Sequence, residues 1–308
     1  MTPQALMDGL LAGTTIGLGA IGLSLTYAIL RFANFTQGDL LAWGAYLALA
    51  VAGALGGLVG GLVGGLGTGP LGPFSFGWTL PVALLGGAAL TVLLALALDA
   101  ALFARLRARR ADAIILVMAS FGASMALRAG LEFIFTSSPA YVTRELQIAR
   151  PVGLGMRATP DQLLVLALTA ALVVALHLVV TRTSTGRAMR AVAESPALAA
   201  VYGLDVARVV RTTWVIGAGL ACVAGVASGL LVQIRPTMGF DLLLPLFAAA
   251  ILGGIGSIPG AMIGGLVIGL SESVAVQILG AEWRAGAAFA VLVLVLLMRP
   301  SGLFGQGH

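Results

Sequence analysis

In the stretch "SFGASMALRAGLE" two serines, an arginine and a glutamate stand at positions 120, 124, 128 and 132, one every four residues. That spacing lays Ser120, Ser124, Arg128 and Glu132 along one helical face, with Arg128 and Glu132 close enough to pair. The stripe offers hydroxyls for hydrogen bonds and a charge pair that can lock helix register, relay a proton or hold a polar solute. The residues around it are apolar, and an ionisable group within an apolar span faces the bundle interior rather than lipid. Spacing alone leaves a buried structural pair and a solute or proton site both open.

A second polar group interrupts two apolar runs in "RFANFTQGD", residues 31 to 39, which carries Asn34, Thr36, Gln37 and Asp39. Polar groups at membrane depth survive only where protein or a water-filled cavity satisfies them. The stretch is therefore either a break lining a solute route or a turn that leaves Asp39 in the first turn of the next helix, where the helix dipole favours a carboxylate. A third segment, residues 240 to 265, contains Pro245, Pro259 and glycines at 253, 254 and 256. Proline removes a backbone donor, so this segment predicts a discontinuous or re-entrant element, or a tight turn between two short helices. Asp99 and Glu272 fall near span ends and read as interfacial.

What is missing narrows the chemistry. All 17 basic residues are arginine. A phosphate-binding P-loop needs a lysine, as does Schiff-base chemistry, so ATP used by this protein is bound on another chain. The two histidines, His177 and His308, and the single cysteine, Cys222, leave no His/Cys metal cage and no internal disulfide. No cofactor is expected. No catalytic or metal-ligating residue is expected either.

The elements that must position these residues are membrane helices. Hydrophobic residues make up 59% of the 308 positions and charged residues 9%, a composition matched to hydrocarbon, where a spanning helix takes about 20 apolar residues. Apolar runs predict spans near 5–30, 38–66, 79–104, 112–135, 160–181, 212–234, 258–279 and 284–299, with a ninth, short segment at 241–256. The fold expected is all-α: one polytopic transmembrane domain over 1–308, a bundle of about 8 to 9 spans. The N-terminus lacks a basic region before its apolar run, which argues against a cleaved signal peptide. Arg105, Arg107, Arg109 and Arg110 mark one cytoplasmic loop and Arg182, Arg187, Arg190, Arg208 and Arg211 another, by the excess of basic residues on that side. The loop 136–159, with Arg144, Arg150 and Arg157, and the N-terminus then lie outside. Glycines at 56, 60, 64 and at 57, 61, 65 form ridges suited to close helix packing or to lining a path, and "GVASG" and "PGAMIGG" repeat the pattern.

The cytoplasmic segment 182–211 resolves further. An amphipathic run reaches Glu194; Ser195 then suits an N-cap, Pro196 the first helical position and Gly203 the C-terminal cap, and Asp205 can cap the next helix. The short helix puts Leu198, Val201 and Tyr202 on one face. Too short to be stable alone, it must dock: on its own spans, on lipid headgroups, or on a partner protein.

At these residues the chain resembles a known family. "GRAMRAVAESPALAAVYGLDVARV" with "GAGLACVAGVASG", "RFANFTQGDLLAWGAYLAL", "ILGGIGSIPGAMIGGLVIGL" and the terminal "RPSGLFG" are similar, in this order, to blocks of the H-type (LivH-like) permease subunit of branched-chain amino acid ABC importers. The resemblance implies a second, M-type permease subunit, two P-loop ATPase subunits and a periplasmic amino-acid-binding protein, in a bacterial inner membrane. It also implies that Glu194, with Arg187, Arg190 and the capped helix through Gly203, belongs to the ATPase-docking element. Here Glu-Ser-Pro replaces the family's Glu-Ala-Ala, and Thr36 and Gln37 stand where Ala and His are frequent. The function this implies is translocation of branched-chain or related amino acids without catalysis by this chain and without nucleic-acid partners. A related branch carries urea and short amides. From the residues themselves, a proton-coupled transporter relaying through Glu132, Asp39 or Glu272, or a non-transporting scaffold, are the rivals.

Overall fold

The computed structural model describes residues 2–62, 74–142, 147–153, 155–299 and 302–304. The glycines at 64 and 65, Arg144, His308 and part of the terminal "RPSGLFG" lie outside them. The chain folds as a helical bundle in which α1 (Pro3–Leu30) is the central helix, buried along most of its length. Around it stand α2 (Thr36–Leu62), α9 (Val206–Leu231), α10 (Met238–Gly253) and α11 (Ile258–Leu279). Further out are α3 (Thr79–Leu98), α5 (Ala113–Phe135), α6 (Pro160–Arg182) and α12 (Arg284–Met298). A π turn, Asp99–Phe103, carries α3 into the short α4 (Ala104–Ala108). Among the described residues eight helical stretches are long and apolar enough to cross a membrane, and the shorter α10 is the ninth apolar element. The protein is a multi-pass membrane protein.

Close packing at the centre rests on small residues spaced by four. Gly9 and Gly13 of α1 meet Leu270 and Leu266 of α11 so tightly that a Cβ would lie 2.9 and 2.8 Å from those residues' Cα atoms. With lipid no better a solvent than leucine for apolar side chains, such backbone approach is what holds membrane helices together. The motifs "GVASG" and "PGAMIGG" pack the same way, Gly225 on Leu41 and Gly264 on Ala249. The ridge in α2 departs from this pattern: among the described residues a Cβ added at Gly53, Gly56 or Gly57 would meet nothing within 4 Å.

The two ends of the bundle are distinct. Phe32, Phe103 and Trp214 stack in series, with centroids 5.3 and 5.4 Å apart, bringing the end of α1, the end of α3 and the start of α9 to one level. The arginines beside these points therefore share one end, as their clustering predicts. At the other end Gln4 bonds the Arg157 backbone, in the hairpin of β1 (Arg150–Gly153) and β2 (Met156–Ala158), and Gln277 bonds Thr2. Ala140 and Ile234 form a backbone bridge there too. The described residues of the loop 136–159 and the start of α1 thus lie together, opposite the arginine clusters at 105–110 and 208–211. The discontinuity expected between 240 and 265 is a turn: Gly254 and Gly256 take φ of 92° and 87°, and Ser257 caps α11. Pro245 sits inside a continuous α10.

Candidate functional site

Three places gather polar or docking residues. The first is a buried network where α1 gives way to α2. Arg31 ends α1 in the left-handed conformation, φ 57°. Asn34 Oδ1 then accepts from the Thr36 amide (3.2 Å) and hydroxyl (2.7 Å), which caps α2. Gln37 reaches the Gly217 carbonyl of α9 at 3.1 Å, and Ser120 accepts from the Phe35 amide at 3.2 Å. Ser124 donates to Asp39, and Arg128 Nε stands 3.6 Å from the same carboxylate while its guanidinium lies 4.3 Å from the centre of the Phe240 ring. Asn34, Thr36, Gln37, Asp39, Ser120 and Ser124 are all buried. The polar stripe and the polar break, read separately in the sequence, are one site.

One sequence expectation fails here. Arg128 pairs with Asp39 of α2, not with Glu132; Glu132 is exposed and forms no ion pair among the described residues. Asp39 is already buried and needs a cation, whereas Glu132 lies toward the outer end of α5 where solvent can satisfy it. Asp99 and Glu272, read as interfacial from their place near span ends, are enclosed by the chain itself. Both are buried, Asp99 against Arg107 at 2.8 Å and Glu272 beside Arg284 at 3.8 Å.

The second place is the segment 182–211, read as cytoplasmic in the sequence. In α7 (Ser184–Glu194) Met189 and Val192 turn inward, and Thr183 caps its start through the Gly186 amide at 3.2 Å. Ser195 accepts from the Leu198 amide at 3.3 Å and Pro196 opens α8 (Pro196–Val201). Gly203, at φ 80°, closes it with a bond to the Ala200 carbonyl, and Asp205 caps α9 through the Arg208 amide at 3.0 Å. Every cap read from the sequence is present. Ala199 alone of α8 is buried; Leu198, Val201 and Tyr202 are 60, 82 and 83% exposed. Among the described residues the apolar face of α8 docks on nothing. Arg190 donates to the Val180 carbonyl, bracing α7 on α6, and Arg187 belongs to the same helix. Arg31 adds a link that the sequence did not announce: its guanidinium donates to the carbonyls of Ala193 and Glu194 at 3.0 and 2.8 Å, tying the end of α1 to the segment.

The third place was missed in the sequence. A cavity of about 700 Å³ opens at the opposite end of the bundle, between α1, α9, α10, α11 and the start of α12, and its floor reaches Thr15, Ile16 and Pro245. Glu272, Arg284, Arg235 and Asp241 line it, the last two 3.9 Å apart. The four charges are scattered over 50 residues and belong to no motif. Their only signal was charge at the edge of apolar runs. Met238 and Asp241 of α10 face this cavity, while Gly239 and Phe240 between them touch the buried network, Gly239 packing directly on Gly38. The start of α10 is a partition between the two. Among the described residues no group of histidine, cysteine and carboxylates could hold a metal ion.

Comparison with known proteins is consistent along the whole chain. The family described as "Branched-chain amino acid transport system / permease component" matches residues 5–298. The High-affinity branched-chain amino acid transport system permease protein LivH of Escherichia coli (strain K12) is 32% identical, over 98% of this chain and 95% of its own. BraD of Pseudomonas aeruginosa, named as a permease protein of the same kind of system, is 30% identical over the same shares. A probable branched-chain amino acid transport permease of Methanocaldococcus jannaschii is 27% identical over 93% of this chain and 87% of its own.

Proposed function

We propose, on the premise that this chain belongs to the branched-chain amino acid transport permease family, that it is the membrane subunit of an ATP-driven importer in a bacterial inner membrane. Its relatives are named as transport permeases and not as enzymes. The ATPase subunits are separate chains, a second permease subunit completes the membrane core, and a periplasmic binding protein delivers the amino acid. The solute is a branched-chain amino acid or a close relative.

The observation that carries this reading is the bare face of α8. A two-turn helix fixed at both ends by side-chain and backbone caps holds Leu198, Val201 and Tyr202 in water. Apolar surface left exposed this way marks a protein interaction site, and the helix is too short to hold its shape without the caps and a dock. Glu194, Ser195 and Pro196 start it and Gly203 ends it, so the knob is presented in one orientation. Arg190 braces the preceding helix on α6. A partner that grips α8 differently in its nucleotide-bound and free states supplies the differential contact that a conformational change requires.

The route for the solute runs from the outer cavity past the start of α10 into the buried network of Asn34, Thr36, Gln37, Asp39, Ser120, Ser124 and Arg128. Asn34 Nδ2, Gln37 Oε1 and Asp39 Oδ1 make no hydrogen bond there. Buried polar atoms without partners are rare in a finished core, and a passing polar solute or water would satisfy these.

The test is co-purification and transport. Tagged protein in mild detergent should bring down an ATPase of the P-loop type, and Val201→Asp with Tyr202→Asp should abolish both this association and ATP-dependent leucine uptake while the thermal melt stays unchanged. Uptake driven by a pH gradient without any ATPase would overturn the reading.

A further inference from the structure

The geometry points to the outer cavity as a binding site for the zwitterionic head of an α-amino acid, with selection against solutes of net negative charge. This deepens the transport reading above and rests on it. At about 700 Å³ the cavity falls within the roughly 300–1,000 Å³ of small-molecule sites, large enough for one amino acid and its water.

Its lining carries two carboxylate–guanidinium pairs on different elements: Glu272 of α11 with Arg284 of α12 at 3.8 Å, and Asp241 of α10 with Arg235 before it at 3.9 Å. Charge-assisted hydrogen bonds close to roughly 2.7–2.9 Å, so both pairs are near enough to neutralise one another yet neither is bonded. Glu272 is 3% exposed, and its Oε1 has no hydrogen-bond partner. A buried carboxylate oxygen left open is costly unless something with a donor fills it. An α-ammonium group supplies up to three N–H donors and a positive charge, and the α-carboxylate supplies two acceptor oxygens for a guanidinium fork. A single dipolar head placed between the pairs gives each member a bonded partner. Leu11, Leu231 and Leu242 on the same wall offer apolar surface to a side chain.

The remaining ionisable groups set the sign of the selection. Asp8 and Glu282 also line the cavity, so four carboxylates face two guanidiniums. An anionic amino acid brings a second carboxylate into an acidic enclosure and is disfavoured. A neutral amide such as urea leaves all four paired charges as they are and gains little.

Chemical labelling tests this directly. Cys222 is fully buried, so Ala285→Cys, at an exposed lining position, places one accessible thiol in the cavity. In the assembled transporter in phosphatidylglycerol nanodiscs, without binding protein, L-leucine should slow modification by a small cationic thiosulfonate about tenfold. 4-Methylvalerate, which lacks the ammonium, isoamylamine, which lacks the carboxylate, and L-glutamate should not. Adding Glu272→Gln should raise the leucine concentration needed for half-protection about tenfold without changing the rate in its absence. Arg235→Gln, half exposed and safe for folding, should do the same. Protection that is absent for leucine, equal for the single-charge analogues, or untouched by both variants overturns the proposal. So does a labelling rate set by added phosphatidylethanolamine and indifferent to leucine, which assigns the cavity to a lipid headgroup. If the wild-type complex transports leucine while these results fail, the site is wrong and the transport reading stands. If it transports no amino acid, the transport reading itself is wrong.

Discussion

Around Asp39 a carboxylate and a guanidinium 3.6 Å apart are shut in by Ser124, the Phe240 ring and the walls of α2 and α5, whereas around Glu272 a similar pair, 3.8 Å apart, fronts an open cavity. Distance and residue type hardly separate the two. What separates them is how many elements each pair is tied to and whether it fronts open space. Asp39 also accepts from a hydroxyl, and Arg128 also lies over an aromatic face, so that pair is knitted to three helices. The Glu272 pair has no further bond, and Arg284 is largely exposed. The first arrangement ties three helices together even though Asp39 Oδ1 and Arg128 Nε lack a hydrogen bond, and the second is tied less and stands on a cavity that a ligand can enter.

Substitutions should split along this line. Asp39→Ala strips the counter-charge from Arg128 and should cost about 3 kcal/mol, the penalty of breaking a buried pair, seen as a large drop in the thermal melt of the detergent-solubilised protein. An unchanged melt would remove the distinction. Gly239→Ala forces a methyl against the Gly38 backbone and should cost about 2 kcal/mol as overpacking, with α10 displaced at its start. Ser124→Ala, which removes one hydrogen bond to Asp39, should cost about 1 kcal/mol. Arg235→Gln in the cavity should change stability by no more than about 0.5 kcal/mol, while altering leucine protection. A stability loss there as large as that of Ser124→Ala would mean that the cavity pairs are structural too.

The same division explains what the sequence could reveal. The caps of α8 were legible because each is a contact across three or four residues: Ser195 to Leu198, Gly203 to Ala200, Asp205 to Arg208. The spans were legible because lipid demands length and apolarity locally. The partner of Arg128 was not, since helical spacing proposes Glu132 and the actual carboxylate is 89 positions away in sequence, chosen by how α2 packs on α5. Glu272 looked interfacial because it stands beside apolar residues near a helix end. Only the arrangement of α1, α10, α11 and α12 shows that it is buried against a cavity wall. Stripe and break were each visible, but their union at Asp39 required the fold.

Arg31 gives α1 a further consequence. The helix runs 28 residues, about 42 Å at 1.5 Å per residue, from a tether on Ala193 and Glu194 to Gln4 and Asp8 at the rim of the cavity. Packed on glycines along α11, it is built as a stiff rod. A tilt of about 5° at the tethered end sweeps the far end through roughly 4 Å over that length, more than the width of a hydrogen bond. A partner that pushed on the tethered end would thereby displace the far end, with no relay of bonds between.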